Sequence, residues 1–273
     1  MLNFILSKLR IHRNASYIKV LLMNVCVKFI SVSVFYDPLP LYHSAGGVVG
    51  IGLMMIFGAT VVIRQKFSVR NFWQDCIKYD CNVSHPQLSL FALVTPNSCL
   101  SPQGAQYIGE ICRYLLSAPQ SPEDRSHNVE IMWGNGLRPS IWQQFQERFG
   151  VKFIGEFYGA TEGNSNVLNI DSKMGSVGFT SVLLPFVYPV SLIRVDEEGE
   201  IVRDARGLCI KCRPGEPGEF VGKIVMGHPA RDFQGYVDKV ATSNKIITDV
   251  FRKGDMYFRY AAYLLTDAAV WGL

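Results

Sequence analysis

The feature that most constrains the fold is an alternation of strand and helix patterns between residues 129 and 163. Apolar side chains alternate at Val129, Ile131 and Trp133, as they do in a half-buried strand. Pro139 suits the first turn of a helix that ends at Gly150, and the apolar residues that follow resemble a second strand. Two strands joined through a helix indicate an α/β fold with a mostly parallel sheet and flanking helices.

The loop after the second strand collects groups that suit a nucleotide phosphate. The ring of Tyr158 can cover a purine, the Thr161 hydroxyl can donate to a phosphate oxygen, and Glu162 offers the oxygen ligand that Mg²⁺ prefers. Gly159 and Gly163 let the backbone approach a ligand closely. Because ligands bind at the carboxyl ends of strands in such sheets, we expect a site here. An ordinary turn with a surface Thr–Glu pair fits the same residues about equally well.

A second constraint is a stretch of twenty residues without a charge, Ser44–Ile63. Its length fits a transmembrane helix, and the Gly-x-x-x-Gly spacing from Gly46 fits a helix-dimer motif. It also fits a helix over residues 45–57 that ends at Gly58, followed by a buried β-branched strand from Thr60. We favour the helix and strand, because that division accounts for every residue type in the stretch.

Other elements are expected on both sides of these segments. Residues 69–77, with Ser68 as a helix N-cap, and residues 107–116 show helical spacing of apolar side chains. After about residue 180, short apolar segments alternate with turn residues, which indicates a small β subdomain. Its strands are predicted at residues 187–195, 200–203 and 218–225.

The net charge of +4 is unevenly distributed. The first 36 positions contain five basic residues and no acidic residue, so the rest of the chain carries one net negative charge. The five are Lys8, Arg10, Arg13, Lys19 and Lys28. A nearly neutral body gives no case for nucleic-acid binding. The basic, apolar head fits an anionic membrane surface, a targeting segment, or sequence foreign to the domain.

Seven scattered cysteines, an odd number, argue against a disulfide framework and for reduced thiols facing the cytosol. Cys209 and Cys212 form a lone Cys-x-x-Cys pair, which a loop between strands explains better than a zinc or redox site. Residues 84–105 are uncharged and rich in Pro and Ser, with no consistent period. They suggest either a functional lid or, as we favour, an inserted stretch that interrupts a strand-to-helix junction.

Longer motifs extend the interpretation to a family. The chain resembles the adenylate-forming (AMP-binding) superfamily, specifically its fatty acid transport protein / very long-chain acyl-CoA synthetase branch, over about residues 36–83 and 106–258. The motifs that carry this resemblance are Asp37–Gly46, Lys66–Ser68, Phe72–Tyr79, Gln106–Leu115, Gly134–Arg138, Glu156–Gly163 and Phe251–Asp255.

The resemblance implies a reaction, its partners and its site residues. Such enzymes join a long-chain fatty acid to coenzyme A through an acyl-adenylate formed from ATP with Mg²⁺, coupled to fatty acid uptake at a membrane. The location implied is the cytosolic side of the plasma membrane or endoplasmic reticulum, with the oligomeric state left open. The catalytic residues implied are Thr161 on the α-phosphate, Glu162 on Mg²⁺ and His43 beside the reacting carboxylate. The nucleotide would be bound by Gly134, Asn135, Gly136, Tyr158 and Gly159, with Tyr158 stacked on adenine.

Departures from the family pattern point to an incomplete N-terminal domain. The Ser/Thr/Gly-rich phosphate loop expected before Asp37 does not occur in residues 1–36. Where the family has Asn/Ser-Thr/Ser-Gly-Asp, whose Asp binds the ribose, this chain has residues 259–262, ending in Ala262. We also expect no C-terminal catalytic domain. The chain as written is therefore expected to have little ligase activity, and a non-catalytic, membrane-associated fatty acid or nucleotide binding or transport protein remains the alternative.

The expected organisation has four parts. Residues 1–35 form an unmatched basic, apolar segment, and residues 36–180 form the α/β AMP-binding domain, interrupted at 84–105. Residues 181–258 form the β subdomain, and residues 259–273 form a divergent tail.

Overall fold

A computed structural model of the chain describes residues 34–57, 60–79, 103–178, 189–228 and 231–265. The fold divides into two compact units. Of the described residues, those from 34 to 157 and from 168 to 178 form the parallel-sheet unit, and those from 158 to 167 and from 189 to 265 form the antiparallel-sheet unit.

A six-stranded sheet of order β2-β1-β3-β4-β5-β6 organises the first of these units. The pairs β1/β2, β1/β3, β3/β4 and β4/β5 are parallel. The last residues of β5 and the first of β6 are counted with the other unit. The strands are β1 (Val34–Asp37), β2 (Thr60–Ile63), β3 (Gln103–Ile108), β4 (Val129–Asn135), β5 (Phe153–Gly159) and β6 (Asn166–Asn169).

Helices connect these strands and cover the sheet. A π-helix (Ser44–Gly50) runs directly into α1, and the α-helices are α1 (Ile51–Phe57), α2 (Phe72–Lys78), α3 (Ile111–Ser117), α4 (Glu123–Ser126) and α5 (Pro139–Phe149). The core beneath them is rich in large aromatic side chains that are almost fully buried, among them Phe72, Tyr107, Trp142, Phe145 and Phe149. Burial of such rings is the main source of stability for a sheet of this kind.

Helix α5 forms where the sequence predicted it. Pro139 occupies its first turn, and Gly150 ends it in the left-handed conformation, with φ of 70°. The backbone N–H of Gly150 donates to the carbonyl of Gln146 at 2.8 Å. These are the residue preferences that start and stop a helix.

Several expected element bounds are wrong in detail. The helix expected from Tyr107 begins at Ile111, because Tyr107 lies in β3 and pairs with Gly134 of β4. Ser68 does not cap α2; its hydroxyl accepts from the N–H of Asn71 in the turn before the helix. The uncharged stretch after Ser44 begins as a π-helix rather than an α-helix.

Residues Gln103–Ala105, which we expected to end an insertion, belong to β3 near the middle of the sheet. The other residues of that expected insertion lie outside the described part of the chain, as does most of the basic head. Gly58, the expected helix stop, also lies outside it.

The second unit contains an antiparallel sheet of order β7-β8-β10-β9. Its elements are β7 (Val190–Arg194), β8 (Pro217–Lys223), α6 (Lys239–Ser243), β9 (Ile246–Thr248) and β10 (Met256–Leu265). The strand expected at residues 200–203 is instead a pair of isolated bridges, Val195 with Ile201 and Arg203 with Cys209. Strand β10 continues past residue 258 into the segment expected to be a divergent tail, with a register shift between Arg259 and Tyr263.

Candidate adenylate-forming site

The turn after β4 carries the glycines expected to line a nucleotide slot. A Cβ on Gly134 would lie 2.1 Å from the carbonyl oxygen of Tyr107, so this glycine is required by the packing of β3 against β4. Gly136 has φ of +90°, a conformation that glycine adopts readily. Sequence reasoning attributed both glycines to close approach of a ligand, whereas the geometry gives each of them a reason within the fold.

Glu156, on β5, holds this turn in place through hydrogen bonds to its side chain. Its carboxylate accepts from the N–H of Gly136 at 3.0 Å, from the N–H of Leu137 at 2.9 Å and from the hydroxyl of Tyr107. The side chain is buried, and burial raises its pKa while the three donors oppose that rise. Burial, reinforced by Glu156, raises the pKa of Tyr107 as well. A buried carboxylate with three donors is the arrangement that makes such a group stable.

Asn135 lies within the turn that Glu156 holds. Its side-chain oxygen Oδ1 is buried and has no hydrogen-bond partner among the described residues. Its backbone carbonyl accepts from the N–H of Gly109 at 2.8 Å, so the residue itself is fixed in place. The turn therefore contains a buried acceptor that has no partner among the described residues, an arrangement that costs free energy until a donor reaches it.

His43 caps the π-helix in the same unit. Its Nδ1 accepts from the N–H of Ala45 at 3.1 Å, and its backbone carbonyl accepts from Gly47 at 2.8 Å. When Nδ1 is an acceptor, a neutral imidazole carries its proton on Nε2. Nε2 is then a donor rather than a base, which fits a positional role better than proton abstraction.

The π-helix packs against the loop that carries His43. A Cβ on Gly46 would lie 2.7 Å from the carbonyl oxygen of Pro40, and one on Gly47 would lie 2.1 Å from that of Leu41. A Cβ on Gly50 would lie 2.2 Å from Oδ2 of Asp37. The Gly-x-x-x-Gly spacing thus serves contacts within the chain. Among the described helices, none is both long enough and apolar enough to cross a bilayer.

The segment from Tyr158, near the end of β5, to Ser165 belongs to the antiparallel-sheet unit. The half-buried ring of Tyr158 packs edge-on against Phe220, with centroids 5.8 Å apart, and lies 6.3 Å from the ring of Tyr260. Burial, with Glu219 nearby, raises the pKa of Tyr158. The ring therefore packs against two aromatic neighbours of its own unit, which also contact each other.

Hydrogen bonds fix the rest of this loop. The Asn164 amide donates to the carbonyl oxygens of Lys223, Gly222 and Arg231, at 2.8 to 3.3 Å. The Tyr260 hydroxyl bonds both the N–H and the carbonyl oxygen of Ser165. Thr161 and Glu162 form the turn between these anchors, and both are half-buried.

The expected site residues thus fall into two groups, each fixed within its own unit. The parallel-sheet unit holds His43 and Gly134–Gly136, and the antiparallel-sheet unit holds Tyr158–Glu162. Two residues that support these groups were not predicted from the sequence. They are Glu156, which holds the first group's turn, and Tyr236, whose hydroxyl donates to Glu162 at 2.7 Å.

A family model described as AMP-binding enzyme matches residues 8–236 of the chain. The chain belongs to the AMP-binding enzyme family. The match starts inside the basic segment that we expected to fall outside the family. This family member is 51% identical over 241 residues to long-chain fatty acid transport protein 1 from Homo sapiens. The aligned region covers 88% of this chain and 33% of that protein. The resemblance to the fatty acid transport proteins predicted from the motifs is therefore confirmed.

Solved structures agree with the family assignment at the level of fold. ATP-bound MatB from Rhodopseudomonas palustris aligns with a TM-score of 0.62 at 19% identity, over 94% of this chain and 42% of that one. O-succinylbenzoate coenzyme A synthetase (MenE) from Bacillus subtilis, in complex with ATP and magnesium ion, aligns with a TM-score of 0.58 at 17% identity, over 94% and 44%. The predicted α/β fold of a partial adenylate-forming domain is confirmed, and the chain spans about a third of the length of its curated relatives.

One carboxylate of the expected site, that of Glu162, could bind a magnesium ion. Within the described ranges, no three His, Cys, Asp or Glu side chains cluster as metal ligands. Among the described residues, Glu162 has one side-chain hydrogen-bond partner, since its Oε1 accepts from the hydroxyl of Tyr236. Mg²⁺ is commonly held by one or two carboxylates together with substrate phosphates and water. A single carboxylate of this kind would fit a Mg²⁺ ion that is bound together with substrate phosphates.

Proposed function

We propose that this chain supplies the ATP-, Mg²⁺- and acyl-binding part of a long-chain fatty acid–CoA ligase that traps imported fatty acids. In the proposed reaction, the fatty acid carboxylate attacks the α-phosphorus of ATP, which releases pyrophosphate. The thiol of coenzyme A then displaces AMP from the acyl-adenylate. Family membership supports the reaction type, and the names of the relatives support the choice of long-chain fatty acids.

The buried acceptor of Asn135 is the observation that carries the proposal. A buried polar atom without a partner costs about 1–3 kcal/mol, so binding a ligand N–H there is favourable. The 6-amino group of adenine is such a donor. Glu156 accepts from the N–H groups of Gly136 and Leu137 in this turn and from the Tyr107 hydroxyl of β3, so the turn is held in place before a ligand arrives.

The remaining residues would bind the fatty acid carboxylate beside the triphosphate of ATP, where like charges repel. Thr161 would donate to the α-phosphate, and Glu162 would hold Mg²⁺, which neutralises phosphate charge when bound. Tyr158 would cover the adenine ring, beside the backbone of Gly159. His43 would orient the fatty acid carboxylate through its Nε2–H.

Nucleotide discrimination tests the proposal. Inosine triphosphate differs from ATP in lacking the 6-amino donor, so the purified 273-residue chain should bind ATP at least tenfold more tightly. Asn135→Ala should bind the two nucleotides about equally. Asn71→Ala, a change in the turn before α2, serves as the matched control and should keep the preference for ATP. Equal binding of both nucleotides by the unmodified chain would refute the adenine assignment.

A second candidate function is binding without turnover. Ala262 stands where the family has an Asp that binds the ribose hydroxyls, and alanine cannot accept those hydrogen bonds. Loss of one positioned polar group of this kind lowers rate by about 10²–10³-fold. Fatty-acid-dependent release of pyrophosphate separates the two candidates: robust turnover supports the ligase, and tight ATP binding without turnover supports the binding protein.

We also propose that the protein works at a membrane surface facing the cytosol. The five basic residues of the head, without any acid, support attraction to anionic lipid. Co-sedimentation with phosphatidylserine vesicles should therefore fall as salt is raised, and binding that is indifferent to salt would contradict this location.

A further inference from the structure

Tyr236 contacts the carboxylate expected to hold the metal. Its hydroxyl donates to Oε1 of Glu162 at 2.7 Å, although the two residues are 74 positions apart in the chain. Both lie in the antiparallel-sheet unit and both are half-buried. A hydrogen bond from a hydroxyl to a carboxylate is among the stronger ones in proteins, particularly where water is partly excluded.

The backbone around Tyr236 is fixed by its own segment. Its N–H donates to Oγ1 of Thr242 at 2.7 Å, and that hydroxyl reaches the carbonyl oxygen of Asp238 at 2.8 Å. Asp238 caps helix α6 by accepting from the N–H of Val240 at 2.8 Å. Gly235, with φ of +77°, makes the turn that brings Tyr236 over this helix.

The ring of Tyr236 is fixed as well. It packs edge-on against Phe233 with centroids 5.8 Å apart, and Phe233 packs against Phe258 at 4.7 Å. Phe258 is fully buried in β10. The phenol therefore approaches Glu162 from a rigid base, which is what a residue that positions another side chain requires.

The partner carboxylate sits in a loop that is anchored on its C-terminal side. Asn164 bonds the backbone of β8 and of Arg231, so the Glu162 backbone has limited freedom. With Oε1 occupied, Oε2 is the oxygen that remains to meet a cation.

We infer that Tyr236 is a positioning residue that orients Glu162 for a divalent cation bound with a nucleoside triphosphate. The inference rests on the proposed function and deepens it, by naming the group that sets the geometry of the metal ligand. Residues that support metal ligands typically change metal affinity by about 10–100-fold when they are removed.

Manganese binding tests this role apart from catalysis. The titration of Mn²⁺ into the full chain with saturating ATP is followed by electron paramagnetic resonance of the free ion. Tyr236→Phe should weaken Mn²⁺ binding about tenfold, while ATP affinity in EDTA stays within twofold of the unmodified chain. Tyr257→Phe is the matched control, since it removes a hydroxyl from a ring that packs edge-on against Phe251 in the same unit. It should leave both affinities unchanged.

Two results would overturn the inference while leaving the proposed function intact. One is unchanged Mn²⁺ affinity in Tyr236→Phe, and the other is an equal loss of Mn²⁺ binding and of metal-free ATP binding, which would show general damage to the loop. Failure of the unmodified chain to bind ATP with or without metal would instead refute the proposed function, and this inference with it. Glu162→Gln, which still offers Tyr236 an acceptor, should abolish the ATP-dependent Mn²⁺ site without lowering the melting temperature.

Discussion

The indole of Trp73 stacks on the imidazole of His127, with ring centroids 4.0 Å apart and planes inclined by 12°. His127 is buried, and its Nδ1 accepts from the N–H of Val129 at 3.2 Å. Burial lowers the pKa of His127 to about 4, while Asp124 opposes the shift and Arg125 adds to it. The imidazole is therefore neutral in the folded protein over most of the accessible pH range.

We predict that the parallel-sheet unit loses stability as pH falls below 6.5. Between about pH 6.5 and pH 4 the unfolded chain binds a proton on His127 and the folded chain does not, so unfolding becomes more favourable as pH falls to about 4. Each pKa unit is worth about 1.4 kcal/mol. Denaturant unfolding followed by tryptophan fluorescence from pH 4 to 7.5 measures this, and His127→Phe should flatten the profile. An equally steep profile in that variant would assign the pH dependence to other groups.

The opposite pH dependence is predicted for Asp37. Its side chain is fully buried at the end of β1, where burial raises its pKa to about 7. The folded state holds a proton that the unfolded state releases above pH 4, so stability falls as pH rises through 7. Asp37→Asn keeps the acceptor for the Leu39 N–H and should be more stable than the unmodified chain at pH 8. The exposed change Asp171→Asn is the control, and a destabilised Asp37→Asn at pH 8 would contradict a protonated Asp37.

Replacing Glu156 by Gln should loosen the turn expected to bind adenine. The amide offers one oxygen where the carboxylate offered two, so one of the N–H groups of Gly136 and Leu137 loses its acceptor. We expect a loss of about 1–3 kcal/mol in the free energy of unfolding, together with weaker ATP binding. Glu147→Gln, an exposed change on α5, should do neither. Undiminished stability in Glu156→Gln would show that the buried charge contributes nothing to the turn.

Gly50→Ala should damage the contact between the π-helix and β1. The new methyl would lie 2.2 Å from Oδ2 of Asp37, which is fixed by its hydrogen bond to Leu39. Overpacking of this kind costs about 1–3 kcal/mol, even though alanine has the higher helix propensity. Thermal unfolding measures the loss. A stabilised Gly50→Ala would mean that propensity outweighs the clash and that the helix can shift away from the strand.

Local signals in the sequence were sufficient for the elements that carry their own boundaries. Pro139 and Gly150 delimit α5 by their backbone preferences alone, and the alternation at Val129–Trp133 marks β4. Tyr107 was assigned to a helix because Tyr107, Ile111 and Leu115 share a helical face. Pairing with β4 decided otherwise, and that is information about a neighbour in space.

The candidate site shows the same limit more sharply. The types of Tyr158, Thr161 and Glu162 could be interpreted from one loop, since each offers its chemistry without help. Tyr236 could not be linked to that loop, because its partner is 74 residues away and no local pattern marks it. The role of Glu156 was hidden for a related reason, since a carboxylate in an apolar strand has meaning only once its three donors are known.

The three hydrogen bonds that the Glu156 carboxylate accepts have an evolutionary consequence. A phenol from one strand and two backbone amides from a turn depend on a single acidic group. A change of side chain at position 137 keeps its amide donor, whereas loss of the phenol at position 107 removes a donor from the Glu156 carboxylate. Homologues that lose the hydroxyl at position 107 should tend to lose the acid at position 156 as well, and such paired replacement should be visible in a deep alignment.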